Sequence, residues 1–169
     1  MSTAEAIDGL VARLAAALAA RGTTMAAAES CTGGLIAAAC TSRAGSSAWF
    51  ERGVVTYSNA AKTELLGVPA ALIADRGAVS EEVARAMADG MLARSPATFT
   101  VAVTGIAGPD GGTPAKPVGT VWIATASRGG AAEATLLNAA GDRAAVRERS
   151  VVRAFELLLA RIEAKPSAR

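Results

Sequence analysis

Residues 98–103 read Thr-Phe-Thr-Val-Ala-Val, a near-continuous apolar run followed at once by a Gly- and Pro-rich loop from Thr104 to Pro117. A strand that is apolar at successive positions has no face for water, so helices must cover it on both sides. The flanking segments supply them. Ile7, Leu10, Val11, Leu14 and Leu18 recur at helical spacing over residues 4–21. Ser2-x-x-Glu5 is a potential capping box, and Gly22 is a C-terminal stop. Residues 53–57 read as a further strand, and 24–28 as a buried strand or the approach to one. Short helices follow after Gly34, Ser58 and Pro69, and a longer one starts at Ser80-Glu81-Glu82. Residues 119–126 and 132–138 read as a hairpin across Arg128-Gly129-Gly130. A final helix follows Gly141-Asp142, and residues 164–169 read as a frayed tail. Early alternation with a late hairpin predicts an α/β fold: a single three-layer α/β/α domain over residues 1–169 with a mixed β-sheet.

The Ala-rich, aromatic-poor composition suits helices packed closely on a sheet. The apolar runs are too short and too interrupted for a membrane span, and Met1-Ser2-Thr3-Ala4-Glu5 does not read as a signal peptide. Cys31 and Cys40 form no disulfide framework, so the expectation is a cytoplasmic protein. Basic and acidic residues are interleaved at a net charge of +2, which does not point to nucleic acid.

The chain contains no histidine. A Ser-His-Asp triad, a Cys-His pair and His-based zinc sites are therefore impossible. A hydrolase built from these residues needs a carboxylate, a lysine, a tyrosine or a metal-bound water as its base. Lysine occurs only at positions 62, 116 and 165, and tyrosine only at 57.

Four segments can carry chemistry. Glu29-Ser30-Cys31-Thr32-Gly33-Gly34 lies between a strand and a helix and offers a nucleophile, Ser30 or Cys31, beside helix-start N–H groups. Its bland alternative is an ordinary cap on a Gly-flexed helix start. Tyr57-Ser58-Asn59-Ala60-Ala61-Lys62 offers a base if Lys62 is buried enough to lose its charge, but most lone lysines are simply solvated. The 104–117 loop is neither a P-loop nor a dinucleotide fingerprint, yet its Thr and N–H groups suit a phosphate or ribose. Arg143 and Arg147 lie one helical turn apart, as a phosphate clamp or as a solvated helix face.

Taken together, AESCTGG (28–34), AGSSAWFERGVVTYSNAAKTELLGV (44–68), GAVSEEVA (77–84), AVTGIAGPDGGTPAKPVGTVWIA (102–124) and GDRAAVRERSV (141–151) resemble the CinA C-terminal domain family over nearly the whole chain. Its best-understood members are bacterial nicotinamide mononucleotide deamidases. The resemblance implies hydrolysis of the carboxamide of nicotinamide mononucleotide to nicotinate mononucleotide and ammonia in pyridine nucleotide salvage, by a Ser/Lys amidohydrolase with no metal or cofactor. It places the nucleophile on Ser30, the lysine on Lys62 and an assisting tyrosine on Tyr57. Thr32, Gly33, Gly34, Ser46, Ser47, Thr104, Gly105, Ala107, Gly108 and Arg143 are expected on the substrate side, and a homodimer is expected. Some relatives carry an additional N-terminal domain of molybdopterin-binding type, which these residues do not include. Position 27 is Ala where Thr is expected. The competing readings are a non-catalytic nucleotide-binding or interaction module, and an amidase for another nucleotide-like amide.

Overall fold

A computed structural model describes residues 1–164; the tail expected at 164–169 lies, beyond Ala164, outside the described residues. Five strands form one mixed sheet in the order β2-β1-β3-β4-β5. β1 (Met25–Glu29), β2 (Phe50–Val55) and β3 (Phe99–Gly105) are parallel, whereas β4 (Thr120–Ser127) and β5 (Glu133–Asn138) complete it as an antiparallel hairpin. Six helices surround it: α1 (Thr3–Arg21), α2 (Leu35–Thr41), α3 (Asn59–Leu66), α4 (Ala70–Arg76), α5 (Glu81–Ala93) and α6 (Arg143–Ala164). The three-layer α/β/α domain expected from the sequence is the fold observed. Among the described residues no helix is long and apolar enough to cross a membrane.

The period-2 alternation of strand side chains divides the core in two. Met25, Ala27, Phe99, Val101 and Val103 face α1, α2 and α6, where Val11, Leu14, Leu18, Ile36, Phe155 and Leu158 meet them. Ala27, the position where Thr was expected, is fully buried in this layer. The opposite face presents Ala26, Ala28, Ala102, Ala124 and Ala126 to Met87, Met91 and their neighbours on α5, and to Leu66 and Ile73. Small side chains on the sheet let α5 sit close. Gly90 extends that closeness to α3, since a Cβ there would overlap the Leu66 carbonyl.

The helix boundaries follow their caps. Ser2 and Glu5 form the expected capping box on α1, and Gly22 closes that helix in the left-handed region. Ser58 and Ser80 cap α3 and α5 through their hydroxyls. β2 departs from expectation: it spans Phe50–Val55 and so starts earlier and ends before Thr56 and Tyr57 despite their strand propensity, although the Thr56 N–H still donates to the Glu29 carbonyl of β1 (2.8 Å).

From β1 the chain passes through α2 to β2 on one side, and then through α3–α5 to β3 on the other side of β1. Such a reversal opens a crevice at the carboxyl ends of the strands. Ser30, Thr56 and Thr104 all stand at that end.

Candidate active site

Ser30 is the first residue beyond β1. Its N–H donates to the Val103 carbonyl (2.9 Å) and its own carbonyl accepts the Gly33 N–H (3.0 Å), so the residue is tied to β3 and to the turn after it. That turn needs glycine at its end, because Gly33 and Gly34 both have positive φ, 57° and 99°. Gly34 supplies no side-chain cap for α2. The buried Glu29 carboxylate takes that role, accepting the N–H groups of Ile36 (2.9 Å) and Ala37 (3.1 Å). One acidic residue thus ties the end of β1 to the start of α2 across the nucleophile turn, a cap the sequence reading did not foresee.

Lys62, on the first turns of α3, is 1% exposed. Its Nζ lies 3.0 Å from Ser30 Oγ and donates to the Thr56 carbonyl at 2.8 Å. It forms no ion pair among the described residues. Burial pushes the ammonium below the ordinary lysine value, with a smaller opposing contribution from the Cys31 thiol. The solvated-lysine alternative is therefore ruled out by position, and an amine whose charged form burial disfavours sits within hydrogen-bond reach of a serine hydroxyl. Cys31 offers no comparable nucleophile. Burial drives its thiol up to about 11, outweighing the lowering effects of Arg147 and Lys62, so the thiolate is scarce near neutrality. Cys40, also buried, is pushed up to about 12.

A cavity of about 190 Å³ opens beside this pair, with Ser30, Cys31, Lys62, Tyr57, Thr104, Gly105, Ala107 and Arg143 among its lining residues. Among the described residues no carboxylate lines it. Asn59, Ala78 and Val79 complete the wall. These three lie within the family motifs at 44–68 and 77–84 but were not expected at the site. Thr104 is buried and donates its hydroxyl to the Ala78 carbonyl (2.8 Å), which joins the end of β3 to the segment before α5.

The remaining expected residues divide by position. Tyr57 lines the cavity but does not hydrogen-bond to the dyad; at 61% exposure its hydroxyl accepts from Arg143 Nη2 at 2.9 Å. Arg143 also donates to the Gly108 carbonyl (2.8 Å), so Gly108 supports the wall from behind rather than forming it. Thr32 is fully buried and, with Gly33 and Gly34, lies in the turn behind the cavity wall. Ser46 and Ser47 occupy a 3-10 turn before β2, at the strand end opposite Ser30, about 17 Å away along five residues of strand. Within one chain they do not reach the cavity, which corrects their assignment to it.

Arg147 also departs from expectation. It does not pair with Arg143 as a clamp but donates from Nε to the Cys31 carbonyl and from Nη2 to the Thr32 carbonyl, both at 3.1 Å.

With this geometry established, the chain compares closely with known proteins. A family model described as the CinA C-terminal domain matches residues 7–162. A protein of Enterobacter agglomerans named nicotinamide-nucleotide amidohydrolase PncC is 52% identical over 150 residues, covering 89% of this chain and 92% of that protein. A CinA-like protein of Mycolicibacterium vanbaalenii is 55% identical over 152 residues, which is 90% of this chain but 35% of that protein. The chain therefore spans about a third of the length of such longer relatives. The crystal structure of the competence/damage inducible protein CihA from Agrobacterium tumefaciens superposes with a TM-score of 0.89 at 46% identity, covering 92% of this chain and 94% of that one.

Proposed function

The chain belongs to the CinA C-terminal domain family, and from that premise we propose that it is a nicotinamide-nucleotide amidohydrolase working through Ser30 and Lys62. The observation that carries the proposal is the 3.0 Å approach of a buried Lys62, without a carboxylate partner among the described residues, to the Ser30 hydroxyl. A relative of nearly the same length named for this activity supports the substrate.

In the proposed reaction neutral Lys62 takes the Ser30 proton as Oγ bonds to the carboxamide carbon. The tetrahedral intermediate collapses when Lys62 returns that proton to the departing nitrogen, which leaves as ammonia. Water attacks the resulting acyl-serine, Lys62 accepts and then passes on its proton, and nicotinate mononucleotide departs with Ser30 restored. The Thr56 carbonyl holds one amine hydrogen, which keeps the nitrogen beside Ser30. No step calls on a metal or cofactor.

The cavity is smaller than the roughly 300 Å³ at which pockets for drug-sized ligands begin. It therefore takes the pyridine carboxamide, with ribose and phosphate extending over its rim. Arg143 stands there with donors left after Tyr57 and Gly108 are served, and it is assigned to the phosphate. Tyr57, held by Arg143, belongs with it on the substrate side. Thr104, Gly105 and Ala107 form the facing wall. A homodimer and a cytoplasmic location complete the proposal; light scattering reads the first directly.

The test is ammonia release from nicotinamide mononucleotide by the purified protein beside Ser30→Ala and Lys62→Ala. Turnover in the wild type and its loss in both folded variants is the expected result. Binding without ammonia release by the wild type would replace the enzyme with a nucleotide-binding module. Cys31→Ala retains turnover if Ser30 is the nucleophile.

A further inference from the structure

An acyl transfer needs donors for the charge that develops on the carbonyl oxygen. The turn after Ser30 is where they are to be sought. The peptide unit is planar, with C=O and N–H pointing in opposite directions. The Ser30 carbonyl points into the turn, where it receives the Gly33 N–H, so the Cys31 N–H of the same peptide points away from Gly33. That N–H has no carbonyl partner among the described residues and meets only its own thiol, and Cys31 lines the cavity.

The next two peptides are held from outside. Arg147 reaches from α6 to the carbonyls of Cys31 and Thr32, and the Leu35 N–H also donates to Thr32 (3.1 Å). Gly33 makes this possible in two ways: its φ is positive, and a Cβ there would come within 3.3 Å of Arg147 Nη2. The planes on both sides of Cys31 are therefore fixed, one by the Gly33 N–H and the other by the guanidinium.

We propose that the Cys31 N–H is an oxyanion donor of this site and that Arg147 is the positioning residue that holds it in place by gripping the Cys31 and Thr32 carbonyls. Arg147 is then not a phosphate ligand. Its planar fork serves two carbonyls whose orientation sets the direction of a neighbouring N–H, which a single ammonium on a flexible stem does less well. The inference rests on the assignment of Ser30 as nucleophile but not on the identity of the substrate.

The experiment uses p-nitrophenyl acetate as the probe, because acetylation of Ser30 passes through an oxyanion whatever the natural amide is. Single-turnover release of p-nitrophenolate, with the acetyl group located on Ser30 by mass spectrometry, is compared for wild type, Arg147→Met and Arg147→Lys across pH. The Met variant is expected to lose about tenfold to hundredfold in plateau rate, less than or near the cost of deleting one oxyanion donor outright. The Lys variant recovers part of that loss. The pH at half-maximal rate does not move, since Lys62 and its partners are untouched, and in nicotinamide mononucleotide turnover kcat falls while KM stays within twofold. A folded Met variant with wild-type acetylation overturns the inference. So does a KM rise at constant kcat, which would make Arg147 a substrate contact, or a shifted pH midpoint, which would place its effect on the dyad. If the Met variant does not fold, the Lys variant alone decides, and a wild-type rate in it is fatal. Acetylation of wild-type Ser30 without turnover of the nucleotide would refute the proposed substrate and leave this inference standing. No acetylation of wild-type Ser30 would refute both the nucleophile and the donor.

Discussion

The antiparallel half of the molecule holds a cleft of about 530 Å³ between β4, β5 and the end of α6, against about 190 Å³ for the cavity beside Ser30. Each contains a cation with little exposure, Arg161 in the first and Lys62 in the second. Their surroundings differ. Arg161 donates to the hydroxyls of Ser127 (3.3 Å) and Thr125 (3.5 Å) and to the Ala131 carbonyl, and it lies 3.7 Å from the Glu133 carboxylate. Among the described residues Lys62 has one carbonyl, one serine hydroxyl and no carboxylate. Arg161 is thus tied to two elements by its partners, whereas burial among few partners pushes the Lys62 ammonium below the ordinary lysine value. The proposed chemistry is therefore assigned to the smaller cavity.

The largest effect that sharpens this contrast is expected from Lys62→Met. Turnover of nicotinamide mononucleotide should fall by at least about 10⁴-fold, since a nucleophile without its base retains only residual catalysis. The same change should raise Tm near neutral pH by roughly 2–4 °C, the shift that about 1 kcal/mol produces in a domain of this size. The sign follows from linkage. The folded pKa of Lys62 lies below its ordinary value of 10.5, so between those two values the unfolded chain binds more protons and wild-type stability rises with pH. The advantage of the Met variant is thus full below the folded pKa and shrinks as pH rises towards 10.5. Wild-type activity rises with pH through the same lowered pKa. Thermal melts and initial rates over that range check both, and a Met variant less stable than wild type at pH 7 would break the comparison.

Gly90→Ala comes next. Its Cβ would overlap the Leu66 carbonyl, so α3 and α5 must separate, at a cost of about 3 kcal/mol. Because α3 carries Lys62, kcat should fall along with stability, which denaturant titration and turnover can follow together. The smallest effect belongs to Arg161→Ala. Losing its hydrogen bonds should cost about 1–2 kcal/mol of stability and leave kcat and KM unchanged. A change in turnover there would give the larger cleft a functional role that its satisfied arginine argues against.

Much of this arrangement was legible in the chain. The capping box at Ser2 and Glu5, the turn after Ser30, the hairpin around Arg128–Gly130 and the start of α6 after Asp142 depend on neighbours within a few residues, and the structure has them where they were expected. β2 did not follow its propensity. Residues 53–57 read as a strand, but the Thr56 carbonyl turns to Lys62 and the Tyr57 hydroxyl to Arg143, contacts made beyond the sheet. Arg143 and Arg147 show the same limit. A spacing of four places both on one side of a helix, and only the elements packed there send one to Tyr57 and Gly108 and the other to Cys31 and Thr32.

By itself, then, the sequence determined the layers and the absence of any imidazole base, because periodicity, caps and residue chemistry are local properties; it left Ser30 or Cys31 open as nucleophile, and only the family resemblance joined Ser30 to Lys62. Only the tertiary structure decided that Lys62 is buried against Ser30, that burial pushes the Cys31 thiol up, that Ser46 and Ser47 stand at the far end of the sheet, and that Arg147 grips the turn. Desolvation and the aim of a side chain are set by groups distant in sequence, and no local pattern specifies which of them will arrive.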